Sequence, residues 1–221
     1  MTPELVAKKI WTGYGKAALH VGFPTAIYRP SGPTDPISNI NLIATVPGAF
    51  ALGQNFENPN RYGNATWRAM IDGNQIEYFD YLVSTNMNGS QTFFVAEKQP
   101  DLPIVTVLCN MTVNVKRPAQ NDGTGLQGYG GNTLATETAV MTAWPASVLQ
   151  GNKGRVEVKL PGDTYDPFWE ILLPALSGVE IKSRDLIEED VSASAPPTRF
   201  VVSGAELTEL GWRIRAQQVL A

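Results

Sequence analysis

Two stretches of this chain, about a hundred residues apart, carry one pattern. Gly73-Asn74-Gln75-Ile76, followed by Asp80-Tyr81-Leu82 and Thr92-Phe93-Phe94-Val95-Ala96, returns as Gly178-Val179-Glu180-Ile181, Asp185-Leu186-Ile187 and Arg199-Phe200-Val201-Val202-Ser203. Ile76, Asp80 and Leu82 map onto Ile181, Asp185 and Ile187 at an offset of 105, and Phe93 and Val95 onto Phe200 and Val202 at 107. The slip of two falls in the turn between the runs. Every shared position is apolar, turn-forming or small, so the duplicated object is a folding unit rather than a reaction centre. Alternating strands resemble one another by default, and two unrelated hairpins are the competing explanation.

Composition points the same way. A chain of 221 residues can bury a real core and has room for one large or two small domains. Only 17% of residues are charged, while 20 are Gly and 16 Pro, which favours strands joined by turns because both residues are costly inside helices. The net charge of −4 and scattered basic residues (Lys8-Lys9, Lys116-Arg117, Arg213, Arg215) argue against sequence-specific nucleic-acid binding. They leave room for a wall past which DNA slides without sticking. No apolar run approaches the roughly 18 residues that cross a bilayer, and no signal peptide is recognisable, so no membrane partner and synthesis in a cytoplasm are expected.

Thr2-Pro3-Glu4 opens a helix, with a hydroxyl at the N-cap, proline in the first turn and an acid beside it. Val6, Ile10, Tyr14, Ala17 and Val21 recur at helical spacing until Gly22 and Pro24 stop it. Gly13, Gly15, Ala17 and Ala18 weaken the helix but let another backbone approach closely. From Thr25 onward the pattern is β: Thr25–Arg29, Leu42–Val46 closed by Pro47-Gly48, Trp67–Ile71, Tyr81–Ser84, and Gln91–Lys98 after the Asn88-Gly89 turn. Leu102–Lys116 alternates through Val105, Val107, Cys109, Met111, Val113 and Val115 and reads as one long strand, an arm projecting beyond the body. A glycine-rich linker follows at Asn121–Asn132. Strands are then expected near Ala139–Trp144, Gly154–Leu160, Gly178–Ile181, Asp185–Glu188, Arg199–Ser203 and Gly211–Gln217, with Phe168–Leu173 either a strand or a helical turn. The expected fold is mainly β: an N-terminal helix over 1–24, a β unit over 25–117, the linker over 118–139 and a second β unit over 140–221, each unit barrel- or sandwich-like.

Reactive constellations are scarce. Gly123, Gly125 and Gly128 form a Gly-x-Gly-x-x-Gly pattern without the strand and helix that a dinucleotide fingerprint requires. The one histidine, His20, cannot assemble a multi-histidine zinc site. The one cysteine, Cys109, sits in the apolar run Ile104–Cys109 and reads as a buried, inert thiol. Asp185 with Glu188-Glu189-Asp190 lacks the spacing of a calcium loop, and Asp163 with Asp166 looks turn-forming rather than a catalytic pair. The tryptophans Trp67, Trp144, Trp169 and Trp212 lack an interleaved basic stripe and read as packing. No catalytic residue, cofactor or metal site is expected.

Ile10–Ala18, Tyr28-Arg29-Pro30, Tyr62-Gly63-Asn64-Ala65 and the block from Gly128-Tyr129-Gly130-Gly131 to Trp144–Gly151 resemble a family of structural proteins from the tail and neck region of tailed bacteriophages and prophages of proteobacteria. The order Asp-Leu-Ile, turn, Arg-Phe-Val-Val-Ser, loop, Gly-Trp-Arg-Ile over Ile181–Gln217 is similar to small β-barrel head-closure and tail-joining proteins. The resemblance implies a non-enzymatic virion component at the head–tail interface, tail or baseplate, a homo-oligomeric ring that also touches other virion proteins, with DNA passing nearby. Interaction candidates are then Val6, Ile10, Tyr14 and Ala17 on the helix and Val107, Met111, Val113 and Val115 on the arm, with edge strands completed by neighbouring subunits. The competing function is a receptor- or carbohydrate-binding module on a tail fibre, for which Phe56 and Tyr62 among asparagines would serve.

Overall fold

The computed structural model describes residues 2–51, 65–87, 89–99, 102–119, 137–151, 168–191 and 196–219. The expected linker at Asn121–Asn132, the Phe56/Tyr62 loop, Asp163, Asp166 and the expected strand at Gly154–Leu160 lie outside the described residues. Among the described residues one α-helix, α1 (Pro3–Val21), precedes twelve strands. Those of the first half are β1 (Phe23–Tyr28), β2 (Leu42–Ala51), β3 (Thr66–Met70), β4 (Tyr81–Asn86), β5 (Gly89–Glu97) and β6 (Ile104–Cys109). The second half contributes β7 (Met111–Pro118), β8 (Glu137–Gln150), β9 (Trp169–Leu173), β10 (Leu186–Glu189), β11 (Arg199–Thr208) and β12 (Gly211–Val219).

These strands close into two antiparallel barrels of one topology. The first runs β1-β2-β3-β6-β5-β4, with β4 returning to β1; the second runs β7-β8-β9-β12-β11-β10, with β10 returning to β7. Each strand of the first barrel thus has a counterpart six strands later, and the registers agree. Phe94 faces Val107 as Val201 faces Gln217, and both β5 and β11 bulge one step on, between Val95 and Glu97 and between Val202 and Gly204. In the interiors Trp67 meets Phe93 edge-on at 5.6 Å and 67°, and Trp169 meets Phe200 at 5.5 Å and 62°. Two unrelated hairpins would share alternation but not bulges, closure and ring geometry. The repeat is a duplicated six-stranded barrel.

Three expectations change. Leu102–Lys116 is not one arm: β6 belongs to the first barrel and β7 to the second, with Asn110 between them. Asn110 imitates a strand residue. Its backbone N–H donates to Ala146 O (3.0 Å), its Nδ2 to Val148 O (2.9 Å), and its Oδ1 accepts Val148 N–H (2.7 Å), so the period of two runs unbroken through the change of barrel. The second barrel accordingly starts at Met111. β2 continues past Pro47 to Ala51 because Pro47 lies opposite Pro24, while β3 joins β2 only from Ala49 and β4 joins β1 only from Thr25, so neither missing N–H breaks a ladder bond. Gly178–Ile181 is not a strand: a turn over Leu176–Val179, with Gly178 at φ +81° and Val179 N–H bonded to Leu176 O, leads into an irregular stretch.

Candidate interaction surface

Of the acidic residues that sequence offers for chemistry, Asp185 and Glu188 are held by cations, and so is Asp80 of the first barrel. Asp80, 1% exposed, accepts paired bonds from Arg29 Nε and Nη2 (2.9 Å each) and the Glu77 N–H (2.7 Å). Asp185, 2% exposed, accepts the same set from Arg117 (2.9 and 2.8 Å) and the Lys182 N–H (2.8 Å). In each barrel the residue before the aspartate, Phe79 or Arg184, has positive φ, and the aspartate's carbonyl accepts the N–H of Val95 or Val202. Each clasp ties the closing strand pair, β1 to the start of β4 and β7 to the start of β10. The hydrogen bonds that each arginine donates to its aspartate raise that arginine above its ordinary pKa. Glu188 engages Lys116 and Arg199, and the buried Glu137 takes Arg199. Sequence reading missed these arginines, although both precede a proline, as Arg29-Pro30 and Arg117-Pro118.

The outer side of the first barrel's wall is continuous with the second barrel's core, while the first barrel's interior is a cluster of its own. Strands β5 and β6 are buried on both sides: Phe93, Val95 and Ile104 face the first barrel's interior, while Phe94, Ala96 and Val107 join the second barrel's core. A bulge in β8 at Ala143 (φ 58°), whose N–H bonds to Asn114 Oδ1, turns Thr142 outward. Thr142 then pairs with Pro33 and Asp35 of the first barrel's loop, and Trp144 Nε1 donates to Pro33 O at 2.7 Å. Tyr81 stacks edge-on against Trp144 at 5.8 Å and donates its hydroxyl to Pro145 O at 2.7 Å. Between the barrels runs a cleft of about 430 Å³ with Val105, Leu149, Leu172 and Trp212 in its lining and Glu170 and Arg213 paired beside it.

Of the interaction candidates, Val107, Val113 and Val115 are corrected: they are buried in this core and offer nothing to a partner. Met111 packs half-buried against it. Cys109 also lies on the interbarrel side, and burial pushes its thiol well above the ordinary value. Both sheets are closed, so the edge strands that neighbours were expected to complete are absent among the described residues. His20 is exposed in the last turn of α1.

The helix candidates fare differently. At 3.6 residues per turn, Ala7, Trp11, Gly15 and Ala18 fall on one side of α1, with Gly22 just past its end, and this side sits on β2, β3 and the following turn. The fit is close. Gly73 lies against the Trp11 ring, Gly15 against Asp72, and Gly22 against Gly48, with no room for a Cβ at Gly15, Gly22 or Gly73. Lys98 lies 4.2 Å over Trp11 and donates to Ile76 O, and Asn74 Nδ2 reaches Lys8 O and Thr12 Oγ1. Burial lowers the Lys98 pKa. The adjoining flank carries Val6, Ile10, Tyr14, Ala17 and Val21. Val6, Ala17 and Val21 are exposed, Ile10 and Tyr14 half-buried.

Fold and surface together define a tandem β-barrel protein with a helical cover. Compared with known protein families, curated proteins and solved structures, the chain matches none. No helix among the described residues is long and apolar enough to cross a membrane.

Proposed function

We propose that the chain is a non-enzymatic structural component of a bacteriophage virion, a ring-forming adaptor at the head–tail interface, tail or baseplate. The observation that carries this reading is the apolar flank of α1, Val6-Ile10-Tyr14-Ala17-Val21, exposed at Val6, Ala17 and Val21, on a body whose barrels are closed and whose buried Asp80 and Asp185 are clasped. A helix flank of this kind adheres by shape to another subunit. The resemblance supplies the virion setting, and the negative net charge suits a wall that DNA passes without binding.

Deleting residues 2–22 would strip the β2/β3 face as well, so the sharper perturbation is Val6→Glu with Ala17→Glu, which charges the flank and leaves the seated side intact. The double variant is expected to stay folded, with unchanged circular dichroism and melting, yet to fail incorporation into particles. Normal incorporation of a folded V6E/A17E chain would refute the reading.

A further inference from the structure

The cleft between the barrels has an unused hydrogen-bond donor in its lining. Its walls are largely apolar, with Phe94, Val105 and Val107 on the first barrel and Leu149, Leu172 and Trp212 on the second, around about 430 Å³. Trp212 is 6% exposed, and its buried Nε1–H has no acceptor among the described residues. Trp144 shows what such a donor ordinarily finds, since its Nε1 reaches Pro33 O at 2.7 Å. Trp11 and Trp67 also lack an acceptor, but they sit in the helix seat and in the first barrel's interior, whereas Trp212 stands in the cleft lining. Thr208, Glu170 and Arg213 in the same lining are spent: Thr208 Oγ1 donates to Gly211 O at 2.8 Å, and Arg213 pairs with Glu170 at 2.6 Å. The fold does not demand an indole here. Counted along the matching strands, Leu102 takes the place of Trp212 in the first barrel. Leu207, opposite Trp212 in the ladder, and Leu210 are exposed, so the rim continues the apolar lining.

We infer that this cleft binds a small, neutral, mainly aliphatic molecule carrying one hydrogen-bond acceptor, a carbonyl or ether oxygen, which the Trp212 Nε1–H engages. The volume is that of a small-molecule site, and an apolar lining with one directed polar group is what such sites present. An unpaired buried N–H is costly, so a ligand that brings an acceptor gains what the chain leaves unmade. Neutrality follows from the charges. Glu170 and Arg213 satisfy each other, and an ionised ligand would lose its hydration without meeting a counter-charge. Both barrels supply wall, so the site belongs to the pair and stands whether or not the chain serves a virion.

Methyl propyl, methyl pentyl and methyl heptyl ketone are the probes, titrated into the full, isotope-labelled chain and followed by the indole N–H resonances in NMR. The Trp212 resonance, identified by its loss in Trp212→Phe, should move downfield and saturate. Affinity should rise about fourfold per added methylene until the cleft is full. Trp212→Phe keeps an apolar wall but no donor, and should bind each ketone about two- to tenfold more weakly. Val105→Phe narrows the cleft and leaves Trp212 in place, so it should weaken methyl heptyl ketone at least about tenfold. Alkyl carboxylates and alkylammonium ions of equal length should bind more weakly than the ketone, and equal or tighter binding overturns the neutral class. A Trp212 resonance unmoved by saturating methyl heptyl ketone overturns the site, because the chain then supplies its own acceptor. So does an affinity indifferent to chain length, or an unchanged titration in folded V105F. The first two of these are read on the wild-type chain and decide the matter even where a variant fails to fold.

Discussion

The paired clasps make a quantitative demand on stability. In Arg29→Ala, Asp80 keeps its charge at 1% exposure but loses both guanidinium bonds, and retains the Glu77 N–H. Removing one partner of a buried pair costs about 3–5 kcal/mol. Arg29 is 35% exposed, so water screens part of the interaction and about 3 kcal/mol is the reasoned figure. Arg117→Ala exposes Asp185 to the same loss, and Arg117 is 36% exposed. The two substitutions should therefore cost the same to within about 1 kcal/mol. For a chain of this size, about 3 kcal/mol lowers the melting temperature by roughly 6–12 °C. Urea unfolding followed by tryptophan emission measures the loss, with an unchanged denaturant slope showing that the native state is intact. Adding Asp80→Ala to Arg29→Ala removes the stranded charge and should recover at least about 1 kcal/mol. A cost below about 1 kcal/mol for either arginine, or no recovery in the double variant, would refute the account of the clasp as a buried, charge-assisted lock.

Other perturbations read other parts of the same frame. Burial holds the Tyr81 hydroxyl above its ordinary 10.0, so the fold accommodates the neutral form, while the unfolded chain ionises as usual. Its stabilisation is whole below about pH 10 and declines as pH rises beyond that; Tyr81→Phe should flatten part of the alkaline loss, and identical slopes for both proteins between about pH 10 and 11 would contradict it. Gly22→Ala sets a methyl against two backbone carbonyls, Ala18 O and Gly48 O, neither of which can yield. It should cost about 1–3 kcal/mol and raise amide exchange in α1 with little change in the barrel interiors.

Much of the barrel pair is legible in the sequence because period-two alternation and turn residues carry it, and because the repeat's apolar positions are interior ones: Ile76, Leu82, Phe93 and Val95 all line the first barrel's core. The helix is legible for the same reason, since Val6, Ile10, Tyr14 and Ala17 recur at helical spacing; the fold leaves Val6 and Ala17 exposed and Ile10 and Tyr14 half-buried. The strand break at Asn110 is hidden by its side chain, which fills the place of a ladder residue. The burial of Val107 had a signal of its own, whereas Val113 and Val115 alternate in β7 as any half-buried strand does. Ile104–Cys109 is apolar at nearly every position rather than at alternate ones, which is how a strand covered on both sides reads. The clasps needed the register: nothing local ties Arg29 to a residue 51 positions away, and only the recurrence of Arg-Pro in both halves hints at it.

The duplication also explains why barrels of this chain would not stack without end. The first barrel's interbarrel wall is Phe94, Ala96, Val105 and Val107. Through the matching ladders these become Val201, Ser203, Arg215 and Gln217 in the second barrel, of which Ser203, Arg215 and Gln217 are exposed. Docking another copy's β2/β3 face there would bury a guanidinium and an amide without partners, at about 1–3 kcal/mol for each neutral group and more for the charge. The head-to-tail contact that joins the two barrels therefore ends at the second one. A contact of that kind, continued from copy to copy without rotational closure, would yield filaments. With one end solvated and the other covered by a helix, the barrel ends offer no seat on which another copy could stack.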